Sequence, residues 1–243
     1  MVSWARVTGR DEPCFSGVFA LISRADMARR IDHTLLRAHA TEAEVRQLCA
    51  EAAEHGFRAV SVNPAWVTFC AKLLRETHVL VDACVAFPLG AATARMKVEE
   101  AKEAVQNGAR EIDMVINIGA LKSGYPDFVE REMAAVAAAV RGVPVKVILE
   151  TGCLNRDEKV MVCEMALRSG AAFVKTATGF GPGGATAEDV ALMREAVGDR
   201  LGVKAAGGVR TWGDALVMLQ AGANVIGTST GVAMLLEGPE TPA

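Results

Sequence analysis

Three charged residues, Lys175, Lys204 and Asp113, interrupt short apolar segments of the sequence. If both lysines enter one partly dry pocket, their charges repel, and one should lose its proton more easily than in water. A neutral amine is what attack on a carbonyl carbon requires. Asp113 can hold the remaining ammonium and exchange protons with it. The three residues therefore predict Schiff-base chemistry, although they do not indicate which lysine is the nucleophile.

Ordinary ion pairs are the alternative for these lysines, since most lysines are solvated and a lone lysine on a strand often pairs with a carboxylate. The chain has 8 lysines against 18 arginines. Two of those lysines lie at predicted strand ends, which favours a catalytic role about as strongly as a structural one.

An internal repeat predicts the elements that position these residues. A glycine followed by a short strand-like run recurs at Gly56, Gly108, Gly170 and Gly222, each time after a segment with helical periodicity. Glycine is the residue that most readily ends a helix in the left-handed conformation. The spacings of 52, 62 and 52 residues are too long for one strand and one helix, which together take about 25–30 residues. Each interval should therefore hold two strand–helix units.

The strands between the repeats complete a set of eight. They are predicted around Ile31–Asp32 and at 79–87, 144–150 and 202–206, and capping-box patterns at Thr41 and Asn155 begin two of the helices. Eight alternating units predict an α/β fold, a (β/α)8 TIM barrel in a single domain. We assign residues 1–27 to an N-terminal extension that is poorly ordered, 28–237 to the barrel and 238–243 to a C-terminal tail. A doubly wound open sheet is the alternative, but its first strand should lead into a glycine-rich turn that this sequence lacks.

Catalytic residues of such barrels lie at the C-terminal ends of the strands. The fifth residue after each repeat glycine should lie at a similar height near this mouth, on strands two, four, six and eight. Lys204 lies on the neighbouring strand seven. Lys146 comes early in strand five, so we predict an ion-paired, structural lysine nearer the far end. The four residues at equal height are Ser61, Asp113, Lys175 and Gly227.

Glycine-rich turns near the same mouth predict a phosphate site. Barrels often bind phosphate with the loops after strands seven and eight, where backbone N–H groups approach the anion. Tight turns without a ligand are the alternative explanation. The candidate phosphate-binding residues are Thr178, Gly179, Gly207, Gly208, Gly227 and Ser229.

Composition excludes several other classes of function. The net charge is −3 without a basic run, which argues against a nucleic-acid partner. No apolar run approaches the roughly 20 residues that span a bilayer, and the first 27 residues lack the apolar stretch of a secretory signal. The histidines and cysteines have no metal-ligand spacing. We therefore expect a cytoplasmic protein with reduced thiols, no metal and no cofactor.

From about Ile31 to Gly231 the chain resembles the deoxyribose-phosphate aldolases, a family of class I aldolases. Single motifs of this kind are weak, but together they are specific. The resemblance is carried by Asp32-His-Thr-Leu-Leu36, Phe87-Pro-Leu-Gly90, Glu111-Ile-Asp-Met-Val115, Leu149-Glu-Thr-Gly152, Val174-Lys-Thr-Ala-Thr-Gly-Phe180 and Val203-Lys-Ala-Ala-Gly-Gly-Val-Arg210.

The resemblance implies reversible cleavage of 2-deoxy-D-ribose 5-phosphate to acetaldehyde and D-glyceraldehyde 3-phosphate. It implies that Lys175 forms the Schiff base, that Lys204 perturbs it and moves protons, and that Asp113 exchanges protons with Lys204. Asp32 and Thr34 would line the substrate end of strand one. The expected partners are the phosphorylated sugar and acetaldehyde, and a homodimer is a reasonable assembly.

Two departures from the family's pattern bear on the rate. The Lys-Pro-Ala-Gly-Gly of some members reads Lys204-Ala-Ala-Gly-Gly208 here, which should hold Lys204 less firmly. Some members also use a C-terminal tyrosine in proton transfer, whereas Tyr125 is the single tyrosine of this sequence, so we expect a lower turnover. Another phosphate-sugar enzyme, transaldolase-like or an isomerase, and a non-catalytic sugar-phosphate-binding barrel are the alternative functions.

Overall fold

The computed structural model describes residues 22–240, which form a closed barrel of eight parallel strands in chain order. The barrel closes where Ile31 pairs with Ile226 and Asp32 with Gly227. This closure confirms the predicted (β/α)8 fold and excludes the open sheet. The strands are β1 (Ile31–Leu35), β2 (Ala59–Val62), β3 (Leu80–Val85), β4 (Glu111–Val115), β5 (Val145–Ile148), β6 (Phe173–Lys175), β7 (Gly202–Ala206) and β8 (Val225–Thr228).

Helices lie between successive strands and cover the outside of the barrel. The predicted capping boxes are present, since the side chains of Thr41 and Asn155 each accept a hydrogen bond from the backbone of the third helical residue, and their backbone N–H groups donate to its carboxylate. The helices are α1 (Arg24–Ala28), α2 (Glu42–His55), α3 (Val67–Leu73), α4 (Ala94–Gln106), α5 (Ile118–Lys122), α6 (Pro126–Ala139), α7 (Arg156–Ser169), α8 (Ala187–Val197), α9 (Trp212–Gln220) and α10 (Gly231–Glu237).

The repeat glycines end helices, as predicted. Gly56, with φ of 68°, directly follows α2, and Gly170, with φ of 82°, directly follows α7. A residue with a Cβ atom would be strained at such an angle. Gly108 and Gly222 lie one residue further from their helices and also have positive φ values. The helices α2, α4, α7 and α9 therefore each end one or two residues before a repeat glycine. The strands that follow these glycines start at the same level along the barrel axis.

Alternation along each strand separates a charged interior from an apolar exterior. Val60, Ile112, Val174 and Ile226 belong to the hydrophobic core, and their neighbours one residue later point to the opposite side of the sheet. In TIM barrels the interior is filled by layers of four side chains from alternate strands. The strand registers advance by two residues from Ser61 to Asp113, from Asp113 to Lys175 and from Lys175 to Gly227, as one such layer requires. These are the four residues for which equal height was predicted.

Helix α1 (Arg24–Ala28) crosses the predicted boundary between residues 27 and 28, so the folded part begins before that boundary. Met27 is fully buried in the core, and the Arg24 Nε donates to the Gly238 carbonyl oxygen at 2.8 Å. The five-residue helix is too short to show helical periodicity, so the sequence pattern did not reveal it. The folded part therefore includes residues from Ile22 onward and Gly238 of the predicted tail. Residues 1–21 and 241–243 lie outside the described residues.

Between residues 22 and 240, no helix has both the length and the apolar character needed to cross a membrane. The cysteines of this part of the chain form no disulfide bond with one another. They are Cys49, Cys70, Cys84, Cys153 and Cys163.

Candidate active site

The Asp113 carboxylate joins the two candidate lysines inside the barrel. Its Oδ2 atom accepts hydrogen bonds from Lys175 Nζ at 2.6 Å and from Lys204 Nζ at 2.8 Å. Its Oδ1 atom accepts from Lys146 Nζ at 2.9 Å. Asp113 and Lys204 are fully buried, while Lys175 keeps a small exposed fraction of 3%. The structure therefore brings together the three residues that the sequence singled out.

Lys204 is an ammonium held by three carboxylates. Its Nζ atom lies 2.6 Å from Asp32 Oδ2, 2.8 Å from Asp82 Oδ2 and 2.8 Å from Asp113 Oδ2. Burial lowers the pKa of Lys204, but these three negative charges outweigh it and raise the pKa well above its ordinary value. The expectation that repulsion between the lysines would free an amine is thus wrong for Lys204. Lys204 instead carries a proton that it can donate.

The Asp113 carboxylate stays ionised in moderately acidic solution. Burial favours its neutral form, but Lys146, Lys175 and Lys204 outweigh burial and hold the pKa of Asp113 well below its usual range. The pKa of Asp82 is raised instead, first by burial and then by the neighbouring charge of Asp113. Asp82 and Asp113, two of the three carboxylates that hold Lys204, therefore differ in their readiness to take up a proton, which is the usual basis for separate acid and base roles.

Lys146 lies below the catalytic candidates, at the centre of a buried charge cluster. Its Nζ atom is 2.8 Å from Glu111 Oε2 and 3.0 Å from Asp82 Oδ1, in addition to the contact with Asp113. The predicted ion pairing of Lys146 is present. Carboxylates of Asp32, Asp82 and Glu111 lie close enough to one another to hold a metal ion. The Lys146 ammonium, however, already supplies the positive charge within this group.

Sequence reasoning missed three members of the charge cluster: Asp82, Glu111 and Arg58. Arg58 closes the lower end of the cluster, where its guanidinium donates to Asp32 Oδ1 at 2.7 Å and to both oxygens of Glu111. A usable signal was present for Asp82, since it is a carboxylate within the apolar run predicted at 79–87. No signal linked Arg58 to the interior, because it lies just before β2 and outside the apolar run of that strand.

The structure corrects the predicted position of Asp32. It was expected to line the substrate end of β1, but its side chain is fully buried beside Lys204 and does not reach the cavity. Burial raises the pKa of Asp32, yet Lys204, Lys146 and Arg58 together lower it to about 2. Thr34 lies two residues further toward the mouth on the same face and lines the cavity.

A cavity of about 760 Å³ opens at the C-terminal ends of the strands, within the size range of small-molecule sites. Lys175 reaches its wall, whereas Lys204 and Asp113 lie beneath it. Arg210, which is exposed, adds a positive charge to the rim. The predicted phosphate-binding residues that line this cavity are Thr178, Gly179, Gly207, Gly208, Gly227 and Ser229.

The glycines of the loop after β7 have a conformational reason to be glycine. Gly207 and Gly208 have φ values of 92° and 82°, which side chains with a Cβ atom rarely adopt. A Cβ on Gly207 would also lie 3.2 Å from both Ala177 Cβ and Gly184 Cα. This loop therefore turns tightly against the loop that follows β6, and its backbone faces the cavity without side chains in the way.

One of the predicted phosphate ligands, Thr178, has its donors engaged within the protein. Its backbone N–H and its hydroxyl both donate to the Glu150 carboxylate. Thr178 therefore contributes to the wall of the cavity, and the free backbone of the glycine loops and the Ser229 hydroxyl are the better donors for an anion.

The arrangement suits covalent chemistry on a carbonyl compound. An amine at the cavity wall can attack the carbonyl carbon, an ionised carboxylate touches that amine, and a protonated lysine touches the same carboxylate. Glycine loops on the side of β7 and β8 can hold an anionic group away from the reacting carbon. Binding energy from that remote group fixes the orientation of the reacting part.

A family model and curated relatives match most of this chain, and all of them are aldolases. The DeoC/LacD family aldolase model matches residues 27–237. Over 211 residues the chain is 53% identical to a deoxyribose-phosphate aldolase of Geobacillus sp. (strain WCH70), covering 86% of this chain and 95% of the relative. It is 52% identical over 218 residues to the deoxyribose-phosphate aldolase of Caldanaerobacter subterraneus subsp. tengcongensis, with 88% and 94% covered.

Among solved structures, a deoxyribose phosphate aldolase from Aeropyrum pernix has a similar fold. The two chains superpose with a TM-score of 0.83 at 35% identity, and the match covers 88% of this chain and 91% of the other. That protein is described as having a unique tetrameric structure.

Proposed function

This chain belongs to the DeoC/LacD family of aldolases, and we propose that it cleaves 2-deoxy-D-ribose 5-phosphate reversibly to acetaldehyde and D-glyceraldehyde 3-phosphate. The deoxyribose-phosphate aldolases of Geobacillus and Caldanaerobacter, each more than half identical to it, support this substrate. The observation that carries the mechanism is Lys175 Nζ at the cavity wall, 2.6 Å from the Asp113 carboxylate.

Lys175 is the nucleophile of the proposed reaction. Its neutral amine attacks the C1 aldehyde of the open-chain sugar, and uptake of one proton with loss of water gives a protonated imine. Lys204 is not suited to this step, because three carboxylates hold it as an ammonium and it does not reach the cavity. The residues alone left both lysines as candidates, and their different access to the cavity supports the choice of Lys175.

Cleavage then breaks the bond between C2 and C3 of the sugar. A base takes the proton of the C3 hydroxyl, the C3 oxygen forms the aldehyde of glyceraldehyde 3-phosphate, and the bonding electrons move into the imine to give an enamine. Proton addition at C2 regenerates an imine, and water releases acetaldehyde and the free amine. We assign the proton transfers to Asp113 and Lys204. The Lys204 Nζ atom donates a hydrogen bond to Asp113 Oδ2 at 2.8 Å.

Reductive trapping tests the covalent step directly. With borohydride and either acetaldehyde or deoxyribose 5-phosphate, we expect one stable adduct on Lys175, located by peptide mass spectrometry. A transaldolase-like enzyme should be trapped by a different substrate, and an isomerase or a non-catalytic binding barrel should give no adduct. Modification of Lys204 in place of Lys175, or no adduct with either compound, would contradict the proposed mechanism.

Ser229 offers a mild test of the phosphate end of the site. Its exposed hydroxyl lines the cavity after β8, and we propose that it donates to the phosphate. Ser229→Ala should raise KM for deoxyribose 5-phosphate at least about 10-fold, the effect of one hydrogen bond to a charged group, and leave the kinetics with unphosphorylated 2-deoxyribose unchanged. Ser123→Ala, on the exposed end of α5, is the matched control and should change neither substrate's KM.

We further propose a homodimer located in the cytoplasm. The tetramer described for the Aeropyrum pernix protein is the alternative assembly. Light scattering on the purified protein distinguishes the two, since they differ twofold in mass.

A further inference from the structure

The residue that follows β5, Glu150, is a buried acidic group that the proposed mechanism does not use. Only 2% of its surface is exposed, and its φ of 57° is left-handed. Within residues 22–240, Ala86 is the only other non-glycine residue with a positive φ. Such a conformation is unfavourable for a residue with a Cβ, and it persists where surrounding contacts enforce it.

The Glu150 carboxylate binds the loop that follows β6. Its two oxygens lie 3.4 and 3.3 Å from the Thr178 backbone nitrogen, which donates to them. The Thr178 hydroxyl donates to Glu150 Oε2 and accepts a hydrogen bond from the Phe180 backbone nitrogen at 3.0 Å. One side chain thus fixes the backbone on both sides of Gly179, which lines the cavity.

The same loop folds closely over the carboxylate. A Cβ atom on Gly181 would lie 2.7 Å from Glu150 Cδ and 2.8 Å from Oε2, so no larger residue fits without displacing the acid. Because the backbone passes this close, the position of Glu150 determines the path of residues 178–181.

Beyond Gly181 the loop reaches the predicted phosphate-binding turn after β7. The Ala185 backbone nitrogen donates to the Gly207 carbonyl oxygen at 2.8 Å. A Cβ on Gly184 would lie 2.4 Å from that same oxygen. The loop therefore connects Glu150 at the end of β5 with Gly207 at the end of β7.

No lysine, arginine or histidine among the described residues forms a salt bridge with Glu150, in contrast to the interior carboxylates Asp32 and Asp113. A buried acid without a cation is costly unless hydrogen bonds satisfy it. The hydrogen-bond partners of its carboxylate are the backbone N–H and the hydroxyl of Thr178, in the cavity wall. Because Glu150 has no cation as a partner within residues 22–240, it does not belong to the charge cluster around Lys146 in the barrel interior.

We propose that Glu150 is a positioning residue for the phosphate-bearing end of the substrate. It holds the loop from Thr178 to Ala185 so that Gly179 and Gly207 present their backbone to the anion. It does not touch the reacting carbon, so it acts on substrate binding rather than on the covalent step. The identity of the substrate rests on the proposed function, while the contacts of Glu150 do not.

Glu150→Gln tests this role, because the amide keeps the size of the side chain but replaces one acceptor oxygen with a donor. The new NH2 group would face Thr178, whose backbone N–H can only donate and whose hydroxyl would have to change from donor to acceptor. We expect KM for deoxyribose 5-phosphate to rise at least about 10-fold with kcat within about threefold of wild type, the pattern of lost uniform binding. The kcat/KM for unphosphorylated 2-deoxyribose should stay within about threefold.

Two further variants separate positioning from general damage. Thr178→Val removes the hydroxyl partner and should reproduce the KM rise, and the double variant should add little to either single change because both break one contact. Glu100→Gln is the matched control, since the Glu100 carboxylate accepts from the Ala86 backbone nitrogen at 2.7 Å in the loop after β3, which does not line the cavity. It should leave both KM values unchanged.

The outcomes distinguish this inference from the proposed function. If wild-type protein neither turns over deoxyribose 5-phosphate nor gives an adduct on Lys175, the proposed function is wrong. If wild-type protein does both, but Glu150→Gln leaves KM unchanged or lowers activity equally on both substrates, the positioning role is wrong. Should Glu150→Gln fail to fold, the KM of Thr178→Val decides in the same way.

Discussion

Lys175→Met is expected to abolish aldol cleavage, with kcat at least about 10⁴-fold lower, because the variant has no amine to form the imine. Methionine is unbranched and similar in length, so it fills the same space. Asp113 keeps its hydrogen bonds to Lys146 and Lys204, and the barrel should therefore fold. The measurements are the rate of acetaldehyde release and the far-ultraviolet circular dichroism of the variant.

Lys72→Met is a suitable control for this substitution, since Lys72 is exposed on α3 and should be dispensable. It should keep wild-type turnover and the borohydride adduct. If folded Lys175→Met retained more than about 1% of turnover, a loss of under 3 kcal/mol in transition-state stabilisation, Lys175 would not be the nucleophile.

Asp113→Asn should have the second largest effect, on both rate and stability. We expect kcat to fall about 10²- to 10⁴-fold, the usual contribution of a positioned proton-transfer group. The substitution also leaves Lys146, Lys175 and Lys204 sharing one negative charge fewer in a dry interior, and breaking a buried pair costs about 3–5 kcal/mol. Denaturant unfolding monitored by circular dichroism, together with kcat on deoxyribose 5-phosphate, measures the two effects.

Asp82→Asn provides the matched comparison for Asp113→Asn. Asp82 contacts Lys204 at 2.8 Å and Lys146 at 3.0 Å, as Asp113 also does, but it has no contact with Lys175. If Asp113 acts on the nucleophile, Asp113→Asn should lower kcat much more than Asp82→Asn at a comparable loss of stability. Equal losses of kcat in the two variants would mean that Asp113 serves only the charge balance of the barrel.

The charged interior changes how the lysine pair is understood. From the sequence, Lys175 and Lys204 are two like charges that repel. In the structure they are two of four cations, with Lys146 and Arg58, that face Asp32, Asp82, Glu111 and Asp113. Attraction therefore dominates, and Lys204 is held as an ammonium. What distinguishes the two lysines is access, because only Lys175 reaches the cavity.

The amino-acid sequence by itself determined the barrel and the layer that contains the proposed chemistry. The reason is local and periodic: the repeat glycines end helices in the left-handed conformation, and a fixed spacing from each glycine sets the depth of Asp113 and Lys175. Two-residue alternation along each strand then decides that these side chains point inward. The glycine loops at the cavity were predictable for a similar reason, since Gly207 and Gly208 lie directly after a strand end.

Tertiary structure alone decided which residues surround those side chains. Asp32 was predicted at the cavity but lies beneath it, because barrel closure places β1 beside β8 and brings Asp32 to 2.6 Å from Lys204. Arg58 and Glu111, 53 residues apart, meet because the sheet curves across β3, which lies between β2 and β4. Glu150 acquires its partner from a loop 28 residues away. Such contacts depend on the curvature and closure of the sheet, which no local pattern of residue types encodes.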